Sequence, residues 1–213
     1  MDAIILLGAP GSGKGTIAEK IKLAKGLTHV STGDMLRIAV KNGTEVGKRA
    51  EAYMKKGELV PDGVIIKLVE DRFDAGQESE RYLFDGFPRT TAQADLLEKS
   101  LEKRGGRISR VFLLETPREV IISRLTGRRV CRKCGATFHV KNIPPKKSGI
   151  CDVCGGELYQ RPDDCEETIV NRLDVYVRQT ESLIARYAGM GLLVKVDSDR
   201  NADQVSVEMA AGL

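Results

Sequence analysis

Apolar positions along this chain alternate between short unbroken runs and longer stretches with helical spacing. Ala3 to Leu7 is a continuous apolar run, the pattern of a strand buried on both faces. It leads through a glycine-rich loop into a segment from about Gly13 to Lys25, where Ile17, Ala18 and Ile21 share one helical face. Thr28 to Val30 predicts a second strand, and Ser31 or Thr32 stands where it can cap a helix carrying Asp34 in its first turn. The stretch "NGTEVGKRAEAYMKKGELVPD" predicts a further helix between turn residues, and Pro61 opens the next. Strands are then expected at Tyr82 to Phe84, Ile108 to Leu114 and Leu192 to Val196. Helices are expected at Thr90 to Lys103, from Pro117 as first helical residue to about Thr126, as one long helix from Cys165 to Tyr187, and at the end of the chain. Strands alternating with helices predict an α/β fold, a five-stranded parallel sheet flanked by helices on both faces.

Two stretches break the rhythm. Ser31 to Val60 is helical without a strand, and Gly127 to about Asp164 is rich in glycine and cysteine. The expected organisation is therefore a core of residues 1–30, 61–126 and 165–213, a helical insertion at 31–60 and a second insertion at 127–164. No internal repeat or low-complexity segment is present.

The 213 residues are 41% hydrophobic and 30% charged, which fits one ordinary folded unit and excludes a disordered chain. The run "AIILL" is too short to span a bilayer and lacks the flanks of a signal peptide, so a cytoplasmic protein is expected, with no membrane partner. The net charge of +4 is too small to imply general nucleic-acid affinity, but its placement is uneven. The 127–164 segment alone holds eight basic residues against four acidic ones, which leaves the rest near neutrality.

The loop itself reads "GAPGSGKGT", Gly8 to Thr16. A loop that wraps a polyphosphate must bring backbone N–H groups close, and Gly8, Gly11, Gly13 and Gly15 remove the side chains that would obstruct this. Ser12 and Thr16 supply hydroxyls, and Lys14 places a mobile charge on the terminal phosphates. The pattern departs from G-x-x-x-x-G-K-[ST] at Gly15, where a hydroxyl ligand of magnesium usually stands. "GKGT" resembles the loop of the nucleoside monophosphate kinases, where phosphate oxygens and water hold the magnesium, and that resemblance makes Asp85, at the end of the third strand, the natural carboxylate for those waters.

"STGDMLR" (Ser31 to Arg37), "DGFPR" (Asp85 to Arg89) and "RPDD" (Arg161 to Asp164), taken with "GKGT", resemble the adenylate kinases, within the nucleoside monophosphate kinases, from about Met1 to Val196. The resemblance implies a P-loop kinase that transfers the terminal phosphoryl of ATP to AMP, reversibly and with magnesium, giving two ADP. Insertion 31–60 would bind the monophosphate, and segment 127–164 would be a lid over ATP; both would close to exclude water. It places Arg37, Arg89, Arg124, Arg128, Arg161 and Arg172 around the phosphates. Arg124 would also stack on the ATP adenine, and Thr137, Phe138 by its ring and Arg200 by its backbone would lie against that nucleotide. Thr32 and Gln93 would stand near the AMP adenine, with Glu58, Leu59, Val60, Gly86, Phe87 and Pro88 completing its wall. A monomer is expected on the same resemblance. Joining two anionic phosphates requires offsetting their repulsion, which is what clustered arginines do; a monophosphate with a second pKa of about 6 needs no general base. Accordingly neither His29 nor His139 is given a catalytic role.

Cys131-x-x-Cys134 and Cys151-x-x-Cys154, sixteen residues apart, have the spacing of a four-cysteine zinc site. Two disulfides are the competing reading, disfavoured in a reducing compartment, and iron can also occupy such sites. Four thiolates leave no open position, so the metal is expected to be structural, with Gly135 and Gly155 letting backbone N–H groups turn toward the sulfurs. Cys165 has no partner at ligand spacing and reads as a free thiol.

Three rivals remain. A monophosphate kinase for another base would share the phosphate machinery. A zinc-ribbon nucleic-acid binder would suit the basic insert, but that insert holds only Phe138 and Tyr159 as aromatics and has no need of "DGFPR". A GTP-hydrolysing regulator would need a guanine-reading N-K-x-D, which is missing.

Overall fold

A computed structural model describes residues 1–77 and 80–213. Its elements run β1 (Asp2–Leu7), α1 (Lys14–Lys25), β2 (Thr28–Ser31), α2 (Thr32–Lys41), α3 (Glu45–Lys56), α4 (Asp62–Asp74), β3 (Arg81–Asp85), α5 (Thr91–Glu102), β4 (Arg107–Glu115) and α6 (Arg118–Thr126). Then follow β5 (Arg128–Cys131), β6 (Thr137–His139), β7 (Leu158–Tyr159), a 3-10 turn at Pro162–Asp164, α7 (Glu166–Gln179), α8 (Ser182–Gly189), β8 (Leu193–Asp197) and α9 (Ala202–Ala211).

The main sheet has five parallel strands in the order β2-β3-β1-β4-β8. Side chains alternate across it. Ala3, Ile5, Leu7, Tyr82 and Phe84 face one layer with Val69 of α4, Leu97 of α5 and Leu183 of α8, while Ile4, Leu6 and Leu83 face the other with Ile17, Ile21, Val205 and Met209 of α1 and α9. β1 is central; the chain leaves β1 toward β2 on one side and leaves its neighbour β4 toward β8 on the other, which opens a crevice at the carboxyl ends of the strands. Register fixes what meets there: Asp85 lies beside both Leu6 and Ser31.

The stretch expected as a helical insertion forms α2 and α3; Ser31, one of the two caps expected for α2, accepts from the Asp34 N–H at 3.3 Å, and Thr44 Oγ1 caps α3 by accepting from the Gly47 N–H at 3.1 Å. Two expectations need correction. Pro117 precedes α6 as its cap residue instead of opening it. The helix foreseen over Cys165 to Tyr187 is two helices, interrupted at Thr180, whose hydroxyl donates to the Arg89 carbonyl at 2.8 Å. A second sheet, absent from the sequence reading, folds the 127–164 segment as antiparallel β6-β5-β7. Its core is Cys131, Phe138, Cys151 and Leu158. Among the described residues, no helix is long and apolar enough to cross a membrane.

Candidate active site

The glycine loop joins β1 to α1 at the crevice. Gly13 precedes α1 with φ of 93°, and no side chain caps that helix, so its first N–H groups face the loop. Lys14 Nζ folds over the loop and donates to the carbonyls of Gly8 (2.7 Å) and Ala9 (2.8 Å), with Ser12 Oγ at 3.4 Å. Burial, opposed by Asp85 but joined by Arg89, Arg172 and Arg128, pulls the Lys14 pKa down to about 8.

Gly15 explains its own departure from the usual loop. A Cβ there would stand 3.3 Å from Asp85 Oδ2, so the place where other loops carry a hydroxyl lies against a carboxylate from β3. Burial works against the Asp85 charge, yet the nearby His29 ring and the Lys14 ammonium hold its pKa below the usual range. His29 Nε2 is 3.7 Å from Asp85 Oδ2 and its Nδ1 is 3.1 Å from Glu19 Oε1. It thus braces Asp85 from behind, a contact that sequence position alone did not suggest.

Five of the six expected arginines, with Lys14, form one electrostatic cluster. Arg89 feels Arg172 and Arg37, and Arg161 feels Arg37 and Arg128; burial first and then these neighbours bring both pKa values down to about 10. Arg172 is lowered chiefly by burial. Arg124 stands aside, bound to the Ser198 carbonyl (3.0 Å) and Asp199 (3.4 Å), although its guanidinium lies near Gly13.

Three carboxylates that the sequence reading left without a role organise these cations. Asp34 accepts from Arg37 Nη2 at 2.6 Å and lies 3.6 Å from Arg161. Asp164, fully buried, accepts from Arg128 at 2.7 and 2.5 Å and lies 3.4 Å from Arg172. Asp163 is 3.0 Å from Arg172. Burial opposes the charges of Asp34 and Asp163, but the arginines outweigh it and lower both pKa values. The signal was available, since both motifs interleave acidic residues with arginine.

On the acceptor side, Thr32 Oγ1 donates to the Gly86 carbonyl at 3.0 Å. Gln93, buried, spends its amide inside the protein: Oε1 accepts from the Arg89 N–H (2.8 Å) and Nε2 donates to Asp62 (2.7 Å). Val60, Phe87 and Pro88 are buried, Leu59 is half-buried and Glu58 exposed. Glu58 and Leu59 line a cleft of about 520 Å³ with Tyr53, Val175, Arg178 and Gln179.

In the 127–164 segment Thr137 is exposed. Phe138 is buried, packed with Cys131, Cys151 and Leu158, so its ring belongs to the core of this segment. The Arg200 guanidinium turns away to Glu208 at 2.7 Å.

The sulfurs of Cys131, Cys134, Cys151 and Cys154 all lie within 4.8 Å of one another. Cys131 and Cys154 are 3.5 Å apart, and Cys134 and Cys151 3.6 Å. Disulfide sulfurs would stand at about 2.05 Å, whereas a tetrahedron with metal–sulfur bonds of about 2.3 Å has edges of about 3.8 Å. The donor set fits a tetrahedral thiolate metal site. Gly135 and Gly155 adopt φ of 77° and 69°, turning the chain after each pair; the Lys133 N–H meets the Cys131 sulfur at 3.4 Å. Cys165 is exposed and free, with its sulfur 3.0 Å from Thr168 Oγ1.

Comparison with known proteins shows the family of the chain. The family model described as adenylate kinase matches residues 6–192. The adenylate kinase of Carboxydothermus hydrogenoformans is 54% identical over 202 residues, 95% of this chain and 94% of that protein. That of Caldicellulosiruptor bescii is 55% identical over 191 residues, 90% and 89% of the two chains. That of a Geobacillus species is 46% identical over 206 residues, 97% and 95%.

Proposed function

The chain belongs to the adenylate kinase family, whose reaction turns ATP and AMP into two ADP, and we propose that it performs this transfer with magnesium by closing two flaps over the phosphates. The observation that carries the reading is the convergence of Lys14, Arg37, Arg89, Arg128, Arg161 and Arg172 on one crevice at the sheet edge. Two polyanions can approach for in-line transfer only where such a field offsets their repulsion.

The glycine loop and Lys14 would hold the ATP phosphates, Arg37 and Arg89 the acceptor phosphate, and Arg128, Arg161 and Arg172 the group in transit. Arg124 lies between the loop and Ser198, where it would reach the adenosine end of ATP. Thr32 and Gln93 fix the "DGFPR" turn against α2 and α4, so they would shape the AMP adenine wall more than touch the base. Asp85, ionised beside Gly15, is the carboxylate that would hold magnesium through its waters, and the metal would supply positive charge against the phosphates. The lid site would hold zinc as a structural ion, the soft four-sulfur set leaving no position for substrate. The charges that hold the phosphates sit on separate elements: Arg37 on the helical insertion, Arg128 and Arg161 in the lid segment. Their assembly around both phosphates would therefore accompany closure and the exclusion of competing water.

Phosphorus NMR with magnesium ATP and AMP, UMP, CMP or GMP tests the proposal. Rapid ADP formation with AMP, little transfer to the others and slow hydrolysis without acceptor are expected. Preferential transfer to UMP or CMP would overturn the base assignment, and transfer to none would overturn the reaction.

A further inference from the structure

His139 sits at the root of the lid, and the phosphate chemistry makes no use of it. The side chain is 7% exposed, and both ring nitrogens are engaged. Nδ1 accepts from the N–H groups of Lys141 and Asn142, each at 3.0 Å. Nε2 therefore carries the proton, and it donates to the Ser123 carbonyl at 3.1 Å. Those partners belong to different parts of the protein. Lys141 and Asn142 follow β6 in the lid, whereas Ser123 lies in the last turns of α6 in the core.

The joint is built around this ring. A Cβ on Gly127, the residue linking α6 to β5, would stand 2.2 Å from His139 Nε2, so the imidazole occupies the space a side chain would need. The Val140 N–H donates to the Gly127 carbonyl at 2.9 Å, and Arg128 pairs with His139 across the β5–β6 ladder. The strand entering the lid and the strand leaving its first hairpin are thus fastened to the same helix end. That helix carries Arg124, β5 begins with Arg128, and β6 carries Thr137 and Phe138.

We propose that His139 is a positioning residue for the ATP half of the site, holding β6 at a fixed place relative to Arg124 and Arg128. The inference rests on the reading that ATP binds beneath this lid. Ser123 also accepts from the Gly127 N–H (3.2 Å) and the Thr126 hydroxyl (3.3 Å), so losing the imidazole donor leaves α6 satisfied and removes only the tie to the lid. An asparagine at 139 puts an acceptor near the place of Nδ1 and preserves the local turn, but it is too short to reach Ser123.

His139→Asn therefore separates the tie from the turn, and His139→Ala removes both. Each variant is compared with the full wild-type chain by calorimetric titration with magnesium ATP, by KM for ATP and for AMP, by zinc content, and by ATP hydrolysis without acceptor. His139→Asn should weaken ATP binding and raise the KM for ATP by about tenfold, the loss of one buried hydrogen bond. It should leave the KM for AMP within about twofold and metal content at the wild-type level, and it should raise the share of ATP lost to water. His139→Ala should go further in the same direction. Unchanged ATP affinity in His139→Asn, or equal losses for ATP and AMP, overturns the proposal. The titration needs no transfer: a wild-type chain that binds ATP but forms no ADP sinks the proposed reaction and leaves this inference to be judged on binding, while one that binds no ATP sinks both.

Discussion

Replacing Arg89 by lysine keeps the positive charge and removes the fork that presents it. Arg89 is held by its backbone, which donates to Gln93 and accepts from Thr180, both at 2.8 Å, so a lysine would leave the chain from the same point. Its Nε donates to the Gly86 carbonyl at 2.7 Å, which aims the two terminal nitrogens; among the described residues those have no protein acceptor. Lysine loses the Gly86 tie and one of two parallel phosphate contacts. Hydrogen bonds to charged groups contribute about 1.5–3 kcal/mol each, and two of them at the lower figure amount to about 3 kcal/mol, or roughly 10²-fold in kcat/KM. ADP formation in a coupled spectrophotometric assay at saturating ATP, with AMP varied, reads the effect. Thermal stability should hold, because burial, Arg172 and Arg37 already penalise the Arg89 charge and lower its pKa to about 10. By the same reasoning Arg89→Met should melt no earlier than wild type while losing still more turnover, a site charged at the expense of the fold. A kcat/KM for Arg89→Lys within about threefold of wild type would refute the placement of Arg89 on the acceptor phosphate.

Three other outcomes are expected. Cys134→Ser should lose bound zinc and melt earlier while keeping most activity at moderate temperature, because the lid core is only Cys131, Phe138, Cys151 and Leu158; activity lost at unchanged stability and metal content contradicts a structural metal. For Lys14, kcat/KM for ATP should fall as pH rises through about 8, since the free enzyme then loses the charge that meets phosphate; a flat profile from pH 7 to 9 contradicts it. The stability sign is opposite: between about 8 and 10.5 the unfolded lysine keeps a proton the folded one has released, so this group's contribution to stability rises with pH there. Asp164→Asn leaves Arg128 without its buried partner, while Arg172 keeps Asp163, and should cost about 3 kcal/mol in urea unfolding, whereas a change below about 0.5 kcal/mol would show the Arg128 pair is idle.

What could be read from the sequence was whatever local pattern controls. The continuous run at Ala3 to Leu7 and the helical face of Ile17, Ala18 and Ile21 identified β1 and α1 because burial on a sheet imposes those periods. Thr180 was not legible as a helix break, because nothing in its neighbourhood opposes helix; its hydroxyl is drawn off by the Arg89 carbonyl, ninety-one residues away. The burial of Phe138 was not legible either, because its partners Cys131, Cys151 and Leu158 come from other parts of the 127–164 segment. The arginines were legible as motif members, and their carboxylate partners were not, since a run such as Asp163-Asp164 looks like solvated charge until Arg128 and Arg172 arrive from two other elements.

Those carboxylates bear on how the site can exist before substrate is present. Burial, and after it the neighbouring cations, depresses the pKa values of Lys14, Arg89 and Arg161, so the crevice is a region of mutual repulsion in the folded chain. Asp34, Asp85, Asp163 and Asp164 relieve it, yet each is placed behind or beside its cation and leaves donor groups free: Arg128 meets Asp164 through Nε and Nη2, and Arg37 meets Asp34 through the same two atoms. An incoming phosphate can then bind the remaining edge without displacing the carboxylate, and the field is preorganised without being neutralised. The same logic accounts for Gly15. A Cβ there would stand 3.3 Å from Asp85 Oδ2, so a serine or threonine would crowd that carboxylate, and glycine leaves it room beside the loop.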